Sequence, residues 1–181
     1  ANYTASDLIV AVKAGVKPTL SSTQMTFKHK MSRIVIDVTN ESGFDITNIV
    51  IKGAVGTGVL DPATGNFTAK ADAEASDLIA NTATANKVYY ALLVPQNGVK
   101  LMVTVTTADG KKRTQTLGTA DFKSGENRRM ECNVQPADIE VKFSGPITGW
   151  VDGDDLLPDG EGEVETPTVE WGGVKYEIVT L

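Results

Sequence analysis

Apolar and polar residues alternate most regularly over residues 25–38, which read MTFKHKMSRIVIDV. Alternation with a period of two is typical of a strand that buries one face. The apolar positions form two runs that are one residue out of phase: Phe27, His29 and Met31, then Ile34, Ile36 and Val38. This slip predicts one long strand with a bulge near Ser32 and Arg33, or two strands that turn a sheet corner. Val35 fits neither run, so both faces are expected to be partly buried.

Short apolar or alternating runs elsewhere predict further strands at residues 8–12, 46–51, 87–96, 101–107, 112–117, 129–135 and 139–143. The run VYYALLV within 87–96 is almost entirely apolar, which favours a central strand buried on both faces. Residues 69–86 are small and polar, and they predict mostly loop with one short strand. We also assign Phe122 and Gly125 to a loop.

Turn-forming residues separate these strands. Asp109-Gly110 lies between two alternating runs, which is a strong indication of a hairpin. Pro62 and Gly65 predict a second hairpin, because proline presets φ for a turn and glycine tolerates the positive φ that closes it. Many short strands with such turns, and no convincing amphipathic helix, predict an all-β sandwich.

The C-terminal residues differ from the rest of the chain. Residues 151–165 read VDGDDLLPDGEGEVE, an acidic and glycine-rich composition that predicts a solvated linker. Two alternating runs around Gly172-Gly173 then predict a β-hairpin. One face of this hairpin carries Val174, Tyr176 and Ile178. An isolated hairpin is marginal in water, so it needs to dock on its own sandwich or on another molecule.

These patterns divide the chain into three parts. We predict a leading segment at 1–20, a β-sandwich domain at 21–150, and an acidic linker with a C-terminal hairpin at 151–181. The chain starts at Ala1 without a signal peptide, so we expect a trimmed or processed form.

Charge and cysteine content limit the classes of partner. The 181 residues include 17 Lys and Arg against 23 Asp and Glu, a net charge of -6. Such an acidic chain is a poor candidate for binding nucleic acid or an anionic membrane surface. No run approaches the roughly 18 apolar residues of a membrane span. The only cysteine, Cys132, alternates with Met130 and Val134, so we expect a buried strand residue without a disulfide.

The sequence contains no recognised motif for catalysis, for a cofactor or for a metal. His29 is the only histidine and has no neighbouring metal ligands, so we expect a hydrogen-bonded core residue. Asp152, Asp154 and Asp155 do not match a calcium loop. We therefore predict no catalytic, cofactor or metal site, and no enzymatic activity.

The two tryptophans have different predicted roles. Either Trp150 or Trp171 could stack on a sugar ring, since both offer a large aromatic face. We favour packing for Trp150, and we expect Trp171 to be exposed beside Gly172-Gly173.

Five stretches resemble, in the same order, motifs of the fimbrillin family, the type V pilins of Gram-negative anaerobes and their minor-subunit relatives. They are SDLIVA, the F-x-H-x-M and I-x-I-x-V strand, VYYALLVPQ, FKSGENRRMECNV and ITGWVDG, which together cover roughly residues 6–153. The motifs include Phe27, His29, Met31 and Trp150. The family carries the histidine as part of its strand motif and not as a catalytic residue.

The resemblance implies a Greek-key sandwich similar to transthyretin. It also implies a structural or accessory subunit of fimbriae that acts in pilus assembly and cell adhesion, at the cell surface and associated with the outer membrane, made as a lipoprotein precursor. The expected partners are other pilin subunits, joined by strand exchange after an N-terminal segment is removed. Val174, Tyr176 and Ile178 are the candidate contacts for a C-terminal strand in a neighbour's groove. The alternative is a surface module that binds a carbohydrate or a host ligand on the same scaffold.

Overall fold

The computed structural model describes residues 7–16, 25–149, 168–171 and 174–177, the last two ranges through their backbone alone. These residues form fifteen strands, and none of them is helical. The strands are β1 (Ile9–Val10), β2 (Lys28–His29), β3 (Ser32–Asn40), β4 (Ile46–Val55), β5 (Gly58–Asp61), β6 (Asn66–Ala69), β7 (Ala75–Ile79), β8 (Asn81–Thr84), β9 (Val88–Leu93), β10 (Gln96–Thr107), β11 (Lys112–Phe122), β12 (Glu126–Val134), β13 (Ile139–Gly149), β14 (Thr168–Trp171) and β15 (Val174–Glu177). Within these ranges, no helix is long and apolar enough to cross a membrane.

Nine of the strands form two sheets. One sheet has the order β11-β10-β4-β7 and the other has the order β13-β12-β3-β9-β8. Neighbouring strands are antiparallel except β3 and β12, which run parallel over eight residue pairs. The chain crosses repeatedly between the sheets, so β10 pairs with β4 and β12 pairs with β3. This arrangement confirms the predicted all-β, Greek-key sandwich.

The hydrophobic core lies between the facing sides of the two sheets. Ile34 and Ile36 of β3 meet Ile49 and Ile51 of β4 there, and all four are fully buried. Burying each such side chain contributes about 1.5–3 kcal/mol. The second predicted run therefore faces the core, as expected. Val35, on the opposite face of β3, is also buried at 8% exposure, which confirms that both faces of this strand are covered.

The first run, Phe27, His29 and Met31, lies outside this core. The stretch forms two strands, β2 and β3, and Phe27 precedes β2 with 51% of its surface exposed. Our expectation of a buried Phe27 is therefore wrong, while His29 and Met31 are half-buried. Alternation shows that residues share a face, but it does not show whether another element covers that face.

The loop assignments need correction. The polar stretch 69–86 contains the one short strand expected there, β7, but also a second strand, β8, with only Ala80 between them as the chain steps from one sheet to the other. Phe122 ends β11 and is 1% exposed, with its ring centroid 6.1 Å from that of Phe143. β9 alternates between buried and half-buried residues and lies second from the sheet edge, so it is less central than predicted.

The predicted hairpins are confirmed. β10 and β11 pair across Asp109-Gly110, where Gly110 has φ of 79°. β5 and β6 pair across the turn that ends at Gly65. β14 and β15 pair from Thr168 with Glu177 to Trp171 with Val174.

Ile36→Ala and Phe27→Ala should differ in their loss of stability, because Ile36 lies in the core and Phe27 lies in the exposed run. We expect Ile36→Ala to lower the free energy of unfolding by about 2–5 kcal/mol, because it leaves a cavity between the sheets. Phe27→Ala should cost less than about 1 kcal/mol, because half of the side chain already contacts solvent. Urea unfolding measures both, and an equal loss in the two variants would contradict this division.

Candidate assembly surface and polar groove

The leading segment is attached to the sandwich through β2. β1 pairs with β2 through Ile9 opposite His29, and the Lys30 amide donates to the Leu8 carbonyl at 2.7 Å. The His29 Nδ1 atom lies 2.7 Å from Asp7 Oδ2. His29 is thus hydrogen bonded as expected, but it joins the leading segment to β2 and is not a core residue.

The leading segment also contacts the β5–β6 hairpin. A Cβ atom on Gly65 would lie 2.7 Å from Cγ2 of Val12 and 3.3 Å from Cγ1 of Val10, so only glycine fits this approach. Several apolar side chains in and near this segment are still about half exposed: Ile9, Val12, Val16, Met25 and Phe27. We call these five residues the apolar surface of the leading segment.

The edge strands β11 and β13 are joined by side chains. Gln115 Nε2 donates to the Val141 carbonyl at 3.0 Å, and the Val141 amide donates to Gln115 Oε1 at 2.5 Å. Arg113, which is 4% exposed, donates to the Pro136 carbonyl at 2.7 Å. A strand edge whose backbone groups already have partners offers little to an incoming strand.

The second half of β13 is interrupted by a bulge. The register with β12 shifts between Asn127 and Arg129, opposite residues 145–147, which include Gly145 and Pro146. Gly145 has φ of 68°, and proline has no amide hydrogen to donate. Bulges and prolines at an edge hinder the addition of another strand.

The C-terminal hairpin forms its own two-stranded sheet, which pairs with no other described strand. Val174 and Tyr176 lie two residues apart in β15. Ile178 and Trp150 lie outside the described residues, as do Asp152, Asp154 and Asp155.

A polar depression of 430 Å³ lies on the outer face of the five-stranded sheet, near the end of β3. Two ion pairs hold side chains at the wall of this depression. Arg129 binds Asp37 through bonds of 2.9 and 3.0 Å, and Lys142 Nζ lies 3.0 Å from Glu131. Each carboxylate raises the pKa of its basic partner through this contact. The polar lining comprises Asp37, Thr39, Lys87, Glu131, Asn133, Glu140 and Lys142.

A second depression, of 630 Å³, adjoins the first, because Val38, Thr39 and Lys87 line both. Phe44 stands in its wall with 48% of its surface exposed. We call the two depressions together the Phe44 groove. Sequence reasoning missed this groove, because its lining comes from β3, β12, β13 and two loops that are far apart in the chain.

The loops that flank the Phe44 groove are held by Asn86. Asn86 has φ of 59°, a left-handed conformation that asparagine tolerates better than most residues. Its Oδ1 accepts from the Ile46 amide at 2.7 Å, and its Nδ2 donates to Asp45 Oδ1 at 2.8 Å. This side chain therefore fixes the loop after β3 against the loop before β9.

In the described part of the chain, the titratable side chains do not form a recognisable reactive centre. Cys132 is 1% exposed, and burial raises the pKa of its thiol to about 12. A thiol with so high a pKa is a poor nucleophile, because the thiolate is the reactive form. Among the residues that the structure describes, no three His, Cys, Asp or Glu side chains are placed to hold a metal ion.

Comparisons with known proteins bear on the whole sandwich. A family model described as fimbrillin-like matches residues 1–150. No curated protein matches the chain. A candidate cell adhesion protein from Bacteroides ovatus ATCC 8483 has a similar solved structure, with 21% identity and a TM-score of 0.55 over 72% of this chain and 49% of that one. Another, from Bacteroides uniformis ATCC 8492, has 14% identity and a TM-score of 0.59 over 71% and 54%. The chain spans about half the length of these two proteins, and they share its fold.

Gln115→Ala should remove the two hydrogen bonds that join β11 to β13. Val141 would lose the partners of a partly buried amide and carbonyl, so we expect the free energy of unfolding to fall by about 1–3 kcal/mol. Thr116→Ala, at the next and exposed position of β11, should change it by less than about 0.5 kcal/mol. Urea unfolding would contradict the role of Gln115 if the two variants lost the same stability.

The Cys132 thiol should make the free energy of unfolding depend on pH in the alkaline range. Its pKa is raised from 9.0 to about 12 in the folded protein, so the unfolded chain releases this proton first as the pH rises. This contribution to stability is fully present below pH 9 and is lost progressively between pH 9 and 12. Urea unfolding at pH 8 and 10 should show a smaller decrease for Cys132→Ala than for the unchanged protein. An equal decrease in both would show that the thiol is not responsible.

Proposed function

Because the chain belongs to the fimbrillin-like family, we propose that it is a structural or accessory subunit of cell-surface fimbriae. It acts in fimbrial assembly and adhesion. The observation that carries this proposal is the family match over residues 1–150, which covers both sheets of the sandwich. The family is structural, and the role proposed here requires no catalysis.

The proposed mode of assembly is strand exchange between subunits. The C-terminal hairpin supports it, since β14 and β15 pair with each other and with no other strand among the described residues. The preceding stretch, 151–165, has the composition of a solvated linker, and like charges extend such linkers. In strand addition, backbone hydrogen bonds supply affinity, and pockets for alternate side chains such as Val174 and Tyr176 set the register.

The leading segment is the proposed place of regulation. Its described part is attached through the short β1–β2 pairing and the His29–Asp7 contact, with its apolar surface about half exposed. So short a pairing is easily released compared with the eight pairs that join β3 and β12. Removal of this segment would leave β2 without its pairing partner β1 and available to a neighbour's strand.

The proposed location follows from the same role. A fimbrial subunit works at the cell surface, and we propose that the chain reaches it as a lipoprotein precursor associated with the outer membrane. Electron microscopy with antibodies against this protein tests that location. Labelled surface filaments would support a subunit, whereas labelled cells without filaments would favour a separate surface module.

A second candidate function is ligand binding on the same scaffold. The observation that favours it is the Phe44 groove, which combines an exposed aromatic ring with a polar wall. The two functions are compatible, since an adhesive subunit needs both an assembly surface and a ligand site.

Deletion of residues 166–181 should abolish filament assembly while leaving the melting temperature of the monomer unchanged. The proposed reason is that the hairpin completes a neighbour's sheet and not its own. Negative-stain electron microscopy and thermal unfolding measure the two outcomes. Filaments from the deleted chain, or a much lower melting temperature, would assign the hairpin to its own domain.

A pair of face-specific variants sharpens this test. Replacing Val174 and Tyr176 by serine should prevent assembly, because these alternate residues are the proposed contacts in the groove. Replacing Lys175 and Glu177 by serine changes the opposite face of the same strand and should leave assembly intact. Equal effects of the two pairs would argue against a specific docking register.

A further inference from the structure

Phe44 is an exposed aromatic residue whose backbone is held in place. Its carbonyl accepts from Asn40 Nδ2 at 2.9 Å and from Ser42 Oγ at 3.0 Å, and its amide donates to Ser42 Oγ at 3.3 Å. Ser42 is 7% exposed, and its two hydrogen bonds with Phe44 are partly buried. The ring is therefore presented to solvent from a fixed position, and binding to it requires little ordering of the loop.

Polar groups line the depression that adjoins the one with Phe44 in its wall. Lys87 lines both depressions, Glu140 lines the adjoining one, and both side chains are exposed. The Oδ1 atom of Asn133 is buried without a hydrogen-bond donor among the described residues. Rotation of this amide toward the groove would give it a donor from a bound hydroxyl group, which removes the cost of an unpaired buried acceptor.

The charge of the groove selects against anionic ligands. Its lining has four carboxylates, Asp37, Asp45, Glu131 and Glu140, against the two ammonium groups of Lys87 and Lys142. Arg129 compensates Asp37, which still leaves the surface slightly negative. Sulfated or sialylated ligands would meet like charges here, and such contacts are unfavourable.

From these observations we propose that the Phe44 groove binds a neutral saccharide. A pyranose ring has an apolar face of C–H groups that packs against an aromatic ring. Its hydroxyl groups both donate and accept, so they suit the carboxylate of Glu140, the amide of Asn133 and the ammonium group of Lys87. This proposal names a ligand class for the adhesive role, and it does not require that the chain assemble into fimbriae.

The test uses the full chain on an array of neutral oligosaccharides with their sialylated and sulfated counterparts, followed by titration calorimetry with the neutral sugar that binds best. We expect binding to neutral sugars and weaker binding to the matched anionic ones. Phe44→Ala should weaken binding at least about tenfold, because it removes the stacking surface. Phe44→Leu should give an intermediate loss, since it keeps apolar contact but not a flat ring.

Phe27→Ala is the matched control. Phe27 is 51% exposed against 48% for Phe44, and the two residues lie at opposite ends of β3. Phe27→Ala should bind sugar as the unchanged protein does, and thermal unfolding should show that all variants are folded at the temperature of the binding experiment. Glu140→Gln and Lys87→Ala should each weaken binding by about threefold to tenfold.

Three results would overturn the proposal: no neutral saccharide binds, the anionic counterparts bind more tightly, or Phe44→Ala binds as well as Phe27→Ala does. Filament formation provides a separate readout. Loss of sugar binding in Phe44→Ala with normal filaments would support saccharide binding in the Phe44 groove, and it would not count against the fimbrial proposal. Absence of filaments in the unchanged protein would count against the fimbrial proposal alone.

Discussion

The pairing of β3 on both of its sides is the constraint on which the rest of the sandwich depends. β9 binds one side in antiparallel register and β12 binds the other in parallel register. Parallel neighbours cannot be joined by a tight turn, so the chain must travel through the other sheet before β12 can reach β3. β4, β10 and β11 lie on that path, and they form most of the opposing sheet. The Greek-key order supplies the crossover that this one parallel pair requires.

The two faces of β3 serve different purposes. Ile34 and Ile36 fill the core, while Asp37 and Thr39 on the outer face line the Phe44 groove. Nearer the start of the strand the outer face is covered, since the Arg33 guanidinium lies 5.6 Å from the centre of the Tyr90 ring. Arg33 also donates to Asn127 at 2.7 Å. The groove therefore opens only where this covering ends, which places it at the same end as Phe44.

The sequence predicted the fold more completely than the site, and particular residues show why. Asp109-Gly110 predicts its hairpin because the turn and both flanking strands are local in sequence. Ile34 and Ile36 were placed correctly because branched apolar residues at period two seldom face solvent. Phe27 shows the same period, yet its face is uncovered, and covering depends on elements distant in the chain. The one short strand expected within 69–86 is found as β7, but β8 was not predicted, because Asn, Thr and Ala give little hydrophobic contrast.

The edges of the two sheets are the places where a strand from another subunit could pair. Gln115 joins β11 to β13, Pro146 interrupts the rest of β13, and β8 is a short polar strand that follows Ala80 at a sheet corner. Asp77 on β7 forms an ion pair with Lys52, which places charge on the remaining edge. Short strands, charges, bulges and capped backbone groups all discourage pairing at an edge. Edges closed in these ways discourage irregular aggregation.

Strand exchange in a protein with such edges therefore requires one of its own strands to leave first. Among the described strands that are joined to the sandwich, β1 has the shortest pairing, because only Ile9 pairs with His29 and Val10 with Lys28.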